Sequence, residues 1–276
     1  MGKLQDYEFF MKRSKNYRHL WNPESGYMQP RGIDGDWLPC FDPLELTEKG
    51  GFCESNSAIY SHYVPHDMTG LIELYGGADK YIERLNANFE KSEPYGFFRS
   101  NKTKEGNWTD YGNQLGTGMA HLFNYAGAPW LTQKWVRKVK AAYSDVTPYG
   151  GYRDDEDQGQ MGALGVLMAI GLFEVDGGCA EKPFYEITSP LFDKVTIHLD
   201  NRYYPGKTFQ IITVGNSIDN MYIQRASFNG KKWNKCWFYH EDFIKGGTLE
   251  LQLGTTPNKK WGIEEFPPSS VSSDKD

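Results

Sequence analysis

Two hydrophobic periods run along this chain, and the change from one to the other divides it. In "GGADKYIERLNANFE", Tyr81, Ile82, Leu85 and Phe89 recur at the spacing of helical turns. "DYEFFMKRSKNYRHL" repeats that period more loosely through Tyr7, Phe10, Met11, Tyr17 and Leu20. "APWLTQKWVRKVKAAYS" aligns Trp135, Val136, Val139, Ala142 and Tyr143, with Pro129 suited to a helix start. "QGQMGALGVLMAIGLF" is apolar nearly all round and predicts a buried helix. Beyond Asp176 the period shortens. "KVTIHL", "TFQIITV", "YIQRASF" and "TLELQLG" alternate or run β-branched and aromatic, and "NGKK" and "KGG" punctuate them as turns. The expected fold class is mixed α and β. It has a helical part over 1–176, an antiparallel β region over 177–265 and a polar, proline-broken, disordered tail over 266–276. There is no internal repeat.

Composition narrows the function classes. The 276 residues are 39% hydrophobic and 24% charged, a globular balance with enough chain for a sizeable core. A net charge of −6 offers no basic footprint for nucleic acid. No apolar run reaches the roughly 18 residues of a membrane span. The start, "MGKLQDYEFF", lacks the apolar core of a signal peptide. Aromatic residues reach 15%; their faces stack on sugar rings, and they also fill ordinary cores. Cys40, Cys53, Cys179 and Cys236 form no CxxC pair, which argues against zinc and leaves disulfides open.

Three loop-to-helix junctions hold candidate chemistry. In "GGFCESNSAIYSHYVPHD", Glu54 precedes one apolar helical stretch and His66–Asp67 begins the next. A carboxyl enclosed by Phe52, Cys53 and aromatic neighbours is expected to be desolvated, as a general acid requires. Taken alone, Glu54 and Asp67 read as helix-start residues facing the dipole. In "DYGNQLGTGMAHLF", Asn113 and Gln114 offer amide oxygens suited to a hard cation or sugar hydroxyls, or simply a turn. In "RDDEDQGQM", four acids from Asp154 to Asp157 precede the apolar run. At least one is expected at the helix N-terminus, where free amides stabilise a carboxylate.

Together and in this order, these junctions resemble glycoside hydrolase family 92, the calcium-dependent exo-acting α-mannosidases. The likeness begins at "KRSKNYRHLWNPESGYMQPR" and passes through "DGDWLPCFDP", "GFCESN", "YVPHDMTGLIELYGG", "NYAGAPWLTQ" and "DEDQGQMGA". It ends in "YIQRASFNGKKWNKCWFYHEDFIKGGTLELQLG", covering about residues 7 to 262. The resemblance implies a helical (α/α) toroid preceded by a β-sandwich domain. This chain would be the C-terminal part of that catalytic region, ending in the antiparallel β segment. It implies inverting hydrolysis, which needs an acid and a base roughly 6.5–9.5 Å apart. Glu54 matches the family's acid. Asp155 and Asp157 match its base motif, with Asp157 favoured and Asp155 assisting. Asn56, His66 and Asp67, in the matching motifs, are candidate substrate-binding residues. Asn113 and Gln114 match the calcium-binding motif. The implied partners are mannose-containing glycans and the missing N-terminal domain. A periplasmic or secreted location is implied for the full-length parent.

The chain departs from the family pattern at two places. "EGNAWQY" becomes "ESNSAIY", placing Ala58 and Ile59 where Trp and Gln are expected. "GNEPSHH" becomes "GNQLGTG", which exchanges a metal-binding glutamate for Gln114 and two histidines for Thr117 and Gly118. Fewer ligand charges weaken calcium binding. Two alternatives therefore stand beside the mannosidase reading: a non-catalytic glycan-binding or structural relative, and a shifted glycoside specificity.

Overall fold

The computed structural model describes residues 2–46, 48–98, 104–148, 151–153 and 156–269. Contacts gather into two compact units, one running to Gly116 and including Ser269, the other spanning Thr117–Pro268. The change from helices to strands comes later than this division, near Leu172.

The first unit opens with α1 (Leu4–Ser14) and a short 3-10 helix (Asn16–Leu20). The loose helical pattern thus breaks in two at Lys15, and none of the side chains of α1 is buried. A two-residue hairpin, β1 (Trp21–Asn22) with β2 (Tyr27–Met28), follows. Helix α2 (Ser57–Tyr60) is seated on it. The Met28 N–H donates to the Ser61 hydroxyl at 2.8 Å, and the Ser57 hydroxyl donates to the Met28 carbonyl. Helices α3 (Met68–Leu74) and α4 (Ala78–Ser92) follow, and short 3-10 helices at Glu93–Tyr95 and Lys104–Gly106 come after α4 in the same unit. The α4 stripe turns Tyr81, Leu85 and Phe89 fully inward. Each such side chain contributes about 1.5–3 kcal/mol of burial. Residues 100–103 of the second long loop lie outside the described residues.

The second unit contains α5 (Pro129–Tyr143), which buries Trp135, Val136, Val139 and Tyr143 and starts on Pro129 as expected. A two-strand pair, β3 (Ser144–Asp145) with β4 (Gly151–Tyr152), leads to α6 (Gln160–Ile170). Helix α6 is not buried all round, contrary to its apolar sequence. Met161, Leu164, Met168 and Ala169 face inward, while Val166 is 59% exposed. Its small residues let one face approach: Gly165 lies against Tyr143, whose hydroxyl donates to the Met161 carbonyl at 2.8 Å.

Strands β5 (Leu172–Phe173) and β6 (Phe184–Ile187) begin the sheets. They are followed by β7 (Lys194–His198), β8 (Thr208–Val214), β9 (Tyr222–Phe228) and β10 (Lys231–Lys232). Strand β11 (Trp237–Tyr239), helix α7 (His240–Phe243) and strand β12 (Gly247–Gly254) complete the series. The four long strands fall where alternation predicts them. Asn229 and Gly230, both at positive φ, make the β9–β10 turn. The expectation of a wholly antiparallel region needs correction. The five-stranded sheet has order β10-β9-β12-β8-β7, and β12 runs parallel to β8. The segment between β8 and β12 is long enough for the crossover that a parallel pair requires. A separate sheet of order β11-β6-β5 is built from short runs without period-2 alternation. Of the predicted tail, residues 270–276 lie outside the described residues.

Candidate active site

Glu54 sits at φ 59, in the left-handed region that a non-glycine residue rarely adopts. The residues after it turn inward: Ser55, Asn56, Ser57 and Ala58 are all buried, while Glu54 stays exposed. The expected apolar enclosure of this carboxyl is therefore absent. Phe52 packs on Tyr60 instead, with ring centroids 4.9 Å apart, and the Tyr60 hydroxyl donates to the Cys53 carbonyl at 2.9 Å. Partial burial, then the nearby Cys53 and Glu54, push the Tyr60 phenol up.

The second junction folds onto the first. The Gly112 N–H donates to the Asp110 carboxylate at 3.1 Å, and the Gly116 N–H donates to the Asn113 carbonyl at 3.0 Å. Only glycine fits at 116, because a Cβ there would lie 1.7 Å from the Asp110 carbonyl oxygen. This tight turn lets the Asn113 side-chain amide donate to the Glu54 carbonyl at 3.3 Å. Two of the predicted functional segments thus meet within one unit.

Calcium takes six to eight oxygens, and carboxylates supply most of the charge that holds it. Asn113 and Gln114 are both neutral, and Gln114 is exposed. Among the described residues no three His, Cys, Asp or Glu side chains converge on a metal position. This amide pair alone does not fit a calcium ion.

The three candidate substrate contacts are tied into the scaffold. Asn56 caps α2, its side-chain oxygen accepting from the Ile59 N–H at 3.1 Å, and its amide donates to the Asn107 carbonyl at 2.8 Å. Asp67 caps α3 through the Gly70 N–H at 2.9 Å and accepts the Tyr17 hydroxyl at 2.7 Å. Burial, then the bond to Asp67, raises the Tyr17 phenol. His66 Nε2 stands 2.8 Å from the Ser14 carbonyl, a partner that only accepts, so this nitrogen carries the proton.

The acidic run lies in the second unit, and Asp155 is outside the described residues. Asp157, Gln158 and Gly159 all take positive φ, at 52, 61 and 99. One of the four acids does meet the amides at the start of α6: Glu156. Glu156 Oε2 accepts from the Gly159 N–H at 2.5 Å and Oε1 from the Gly162 N–H at 3.3 Å. A Glu three residues before a helix-starting glycine was a legible signal for this. Left-handed backbone at Asp157 and Gln158 takes up the reversal.

The family model for the glycosyl hydrolase family 92 catalytic domain matches residues 1–255. The chain belongs to this family. Family 92 members are among the solved structures it resembles. It is similar to the family GH92 alpha-mannosidase BT3965 from Bacteroides thetaiotaomicron, with TM-score 0.83 and 30% identity over 97% of this chain and 34% of that one. It is similar to the family GH92 inverting mannosidase BT2199 of the same organism, with TM-score 0.82 and 33% identity over 98% of this chain and 37% of that one. An uncharacterized secreted glycosidase of Arthroderma benhamiae is 30% identical over 97% of this chain and 35% of its own length. The family 92 chain described here therefore spans about a third of the relatives it matches.

Proposed function

We propose that this chain is the C-terminal part of an exo-acting, inverting α-mannosidase, including part of an (α/α) toroid. In this reading Glu54 protonates the departing glycosidic oxygen. Asp157 takes a proton from the water that attacks the anomeric carbon on the opposite face, with Asp155 assisting. The C–O bond to the leaving group breaks as the new bond to water forms, and the configuration inverts. Asn56 and Asp67, which cap α2 and α3, and His66, held by the Ser14 carbonyl, would orient the sugar. No step is routed through calcium. The parent polypeptide would act outside the cytoplasm, as the secreted relative's name supports.

One observation carries the reading. Among the described residues six non-glycine residues take positive φ, and both Glu54 and Asp157 are among them. Such backbone costs about 1–3 kcal/mol and clusters at functional sites. The motif-matched acid and base both occupy it.

Proton NMR of the parent polypeptide acting on an activated α-mannoside tests the stereochemistry. β-Mannose should appear first; initial release of the α-anomer excludes inversion. Glu54→Gln should slow poor leaving groups by about 10²–10⁴-fold. Unchanged turnover removes Glu54 from the role. The exposure of Glu54 and the neutrality of the Asn113–Gln114 pair favour a second reading, a non-catalytic glycan-binding relative. Calorimetric binding of mannosides with no turnover in a sensitive assay would select it.

A further inference from the structure

The helix that carries the clearest amphipathic stripe inward carries a different stripe outward. On α4, Lys80, Arg84 and Lys91 stand at i, i+4 and i+11, along one line of the helix surface. With Glu83, Tyr27 and Tyr75 they line a cavity of about 680 Å³ in the first unit. None of these residues belongs to the Glu54–Asn113 group.

The cations are positioned by specific contacts. The Arg84 guanidinium lies 4.7 Å from the centroid of the buried Tyr27 ring. Gly26 (φ 69) stands beside it, and a Cβ there would come within 3.2 Å of a guanidinium nitrogen. The Lys91 ammonium sits 3.8 Å from the centroid of Trp108. Among the described residues none of the three cations makes an ion pair. Three positive charges thus face one carboxylate, Glu83, in a chain whose net charge is −6. Like charges held together in a concave site attract a counter-charge and raise its local concentration.

We propose that this cavity binds a tetrahedral oxyanion, a phosphate or sulfate group, either free or carried as an ester on a small polar molecule. The guanidinium fork engages two oxygens in one plane, and the lysines add mobile point charges on either side. The volume lies within the range of small-molecule sites and exceeds what a bare anion fills, leaving room for a sugar-sized carrier.

Isothermal titration calorimetry of the full chain at constant ionic strength tests this, with inorganic phosphate, glucose 6-phosphate and glucose as separate titrants. Both anions should bind saturably and glucose should not. Tighter binding of glucose 6-phosphate identifies an ester site; tighter binding of inorganic phosphate identifies a free-ion site. Lys80 is exposed, so Lys80→Gln keeps the fold and should weaken phosphate binding about three- to fivefold, the size of an exposed ion pair. Exposed Glu83→Gln should strengthen it by a similar factor. Arg84→Gln, with circular dichroism as a fold control, should weaken it by about tenfold or more. Non-saturable heats, or saturable binding indifferent to both Lys80→Gln and Glu83→Gln, would overturn the proposal.

Discussion

The side-chain amide of Asn113 donates to the backbone carbonyl of Glu54 at 3.3 Å, joining loops 59 residues apart. It braces the left-handed turn from which Glu54 projects. Asn113→Asp removes the donor and sets a carboxylate against a carbonyl oxygen. Stability should fall by about 0.5–1.5 kcal/mol in urea unfolding. Turnover by the parent polypeptide should fall further than stability, because the bond positions the proposed acid.

Glu54→Gly separates folding from function. Glycine adopts φ 59 without the Cβ penalty, so the variant should gain about 1 kcal/mol of stability. Loss of the carboxyl should abolish hydrolysis of poor leaving groups. A variant that is both less stable and fully active would contradict the strained-acid reading.

Gln114→Glu restores a carboxylate to the amide pair. The unaltered chain should show no change in thermal midpoint on adding calcium, because its donors there are neutral. The variant should show a rise that a chelator reverses, since ligand charge is a main determinant of calcium affinity. Differential scanning fluorimetry with calcium and with magnesium reads the difference.

Glu156 holds the start of α6 by accepting from the Gly159 and Gly162 amides. Glu156→Ala should cost about 0.5–2 kcal/mol, as loss of an N-terminal cap does. Hydrogen exchange should quicken first at the N-terminal turn of α6. Equal effects from Asp157→Ala would assign the capping role wrongly.

His62 is buried between Tyr75 and Tyr81, with the Asn88 amide 3.2 Å from its Nε2. Burial, then the nearby Arg84 charge, pushes its pKa down from 6.5 to about 3. The folded state therefore stays neutral where the unfolded chain takes up a proton. Stability from this group is fully present above pH 6.5 and is lost as pH falls toward 3. The slope is about 1.4 kcal/mol per pH unit across that window. His62→Gln should lower stability at pH 7 and flatten the slope between pH 6 and 4. An unchanged slope in urea titrations would exclude His62 as its source.

Much of this protein was determined by local sequence. Helices α4 and α5 and strands β7, β8, β9 and β12 follow from side-chain period, because a one-sided apolar stripe has only one way to be buried. Motif order was enough to locate the family and its candidate acid and base. Other features depended on contacts that period does not encode. The parallel pairing of β12 with β8 rests on long-range ladder bonds, and the β11-β6-β5 sheet on strands too short to alternate. An apolar sequence could not say which face of α6 stays outside; the packing of Gly165 against Tyr143 settles it. The exposure of Glu54, its bond from Asn113 and the placing of Glu156 at the α6 amides were decided by backbone direction. Left-handed turns at Glu54, Asp157 and Gln158 set that direction, and a left-handed residue leaves no periodic trace in the chain.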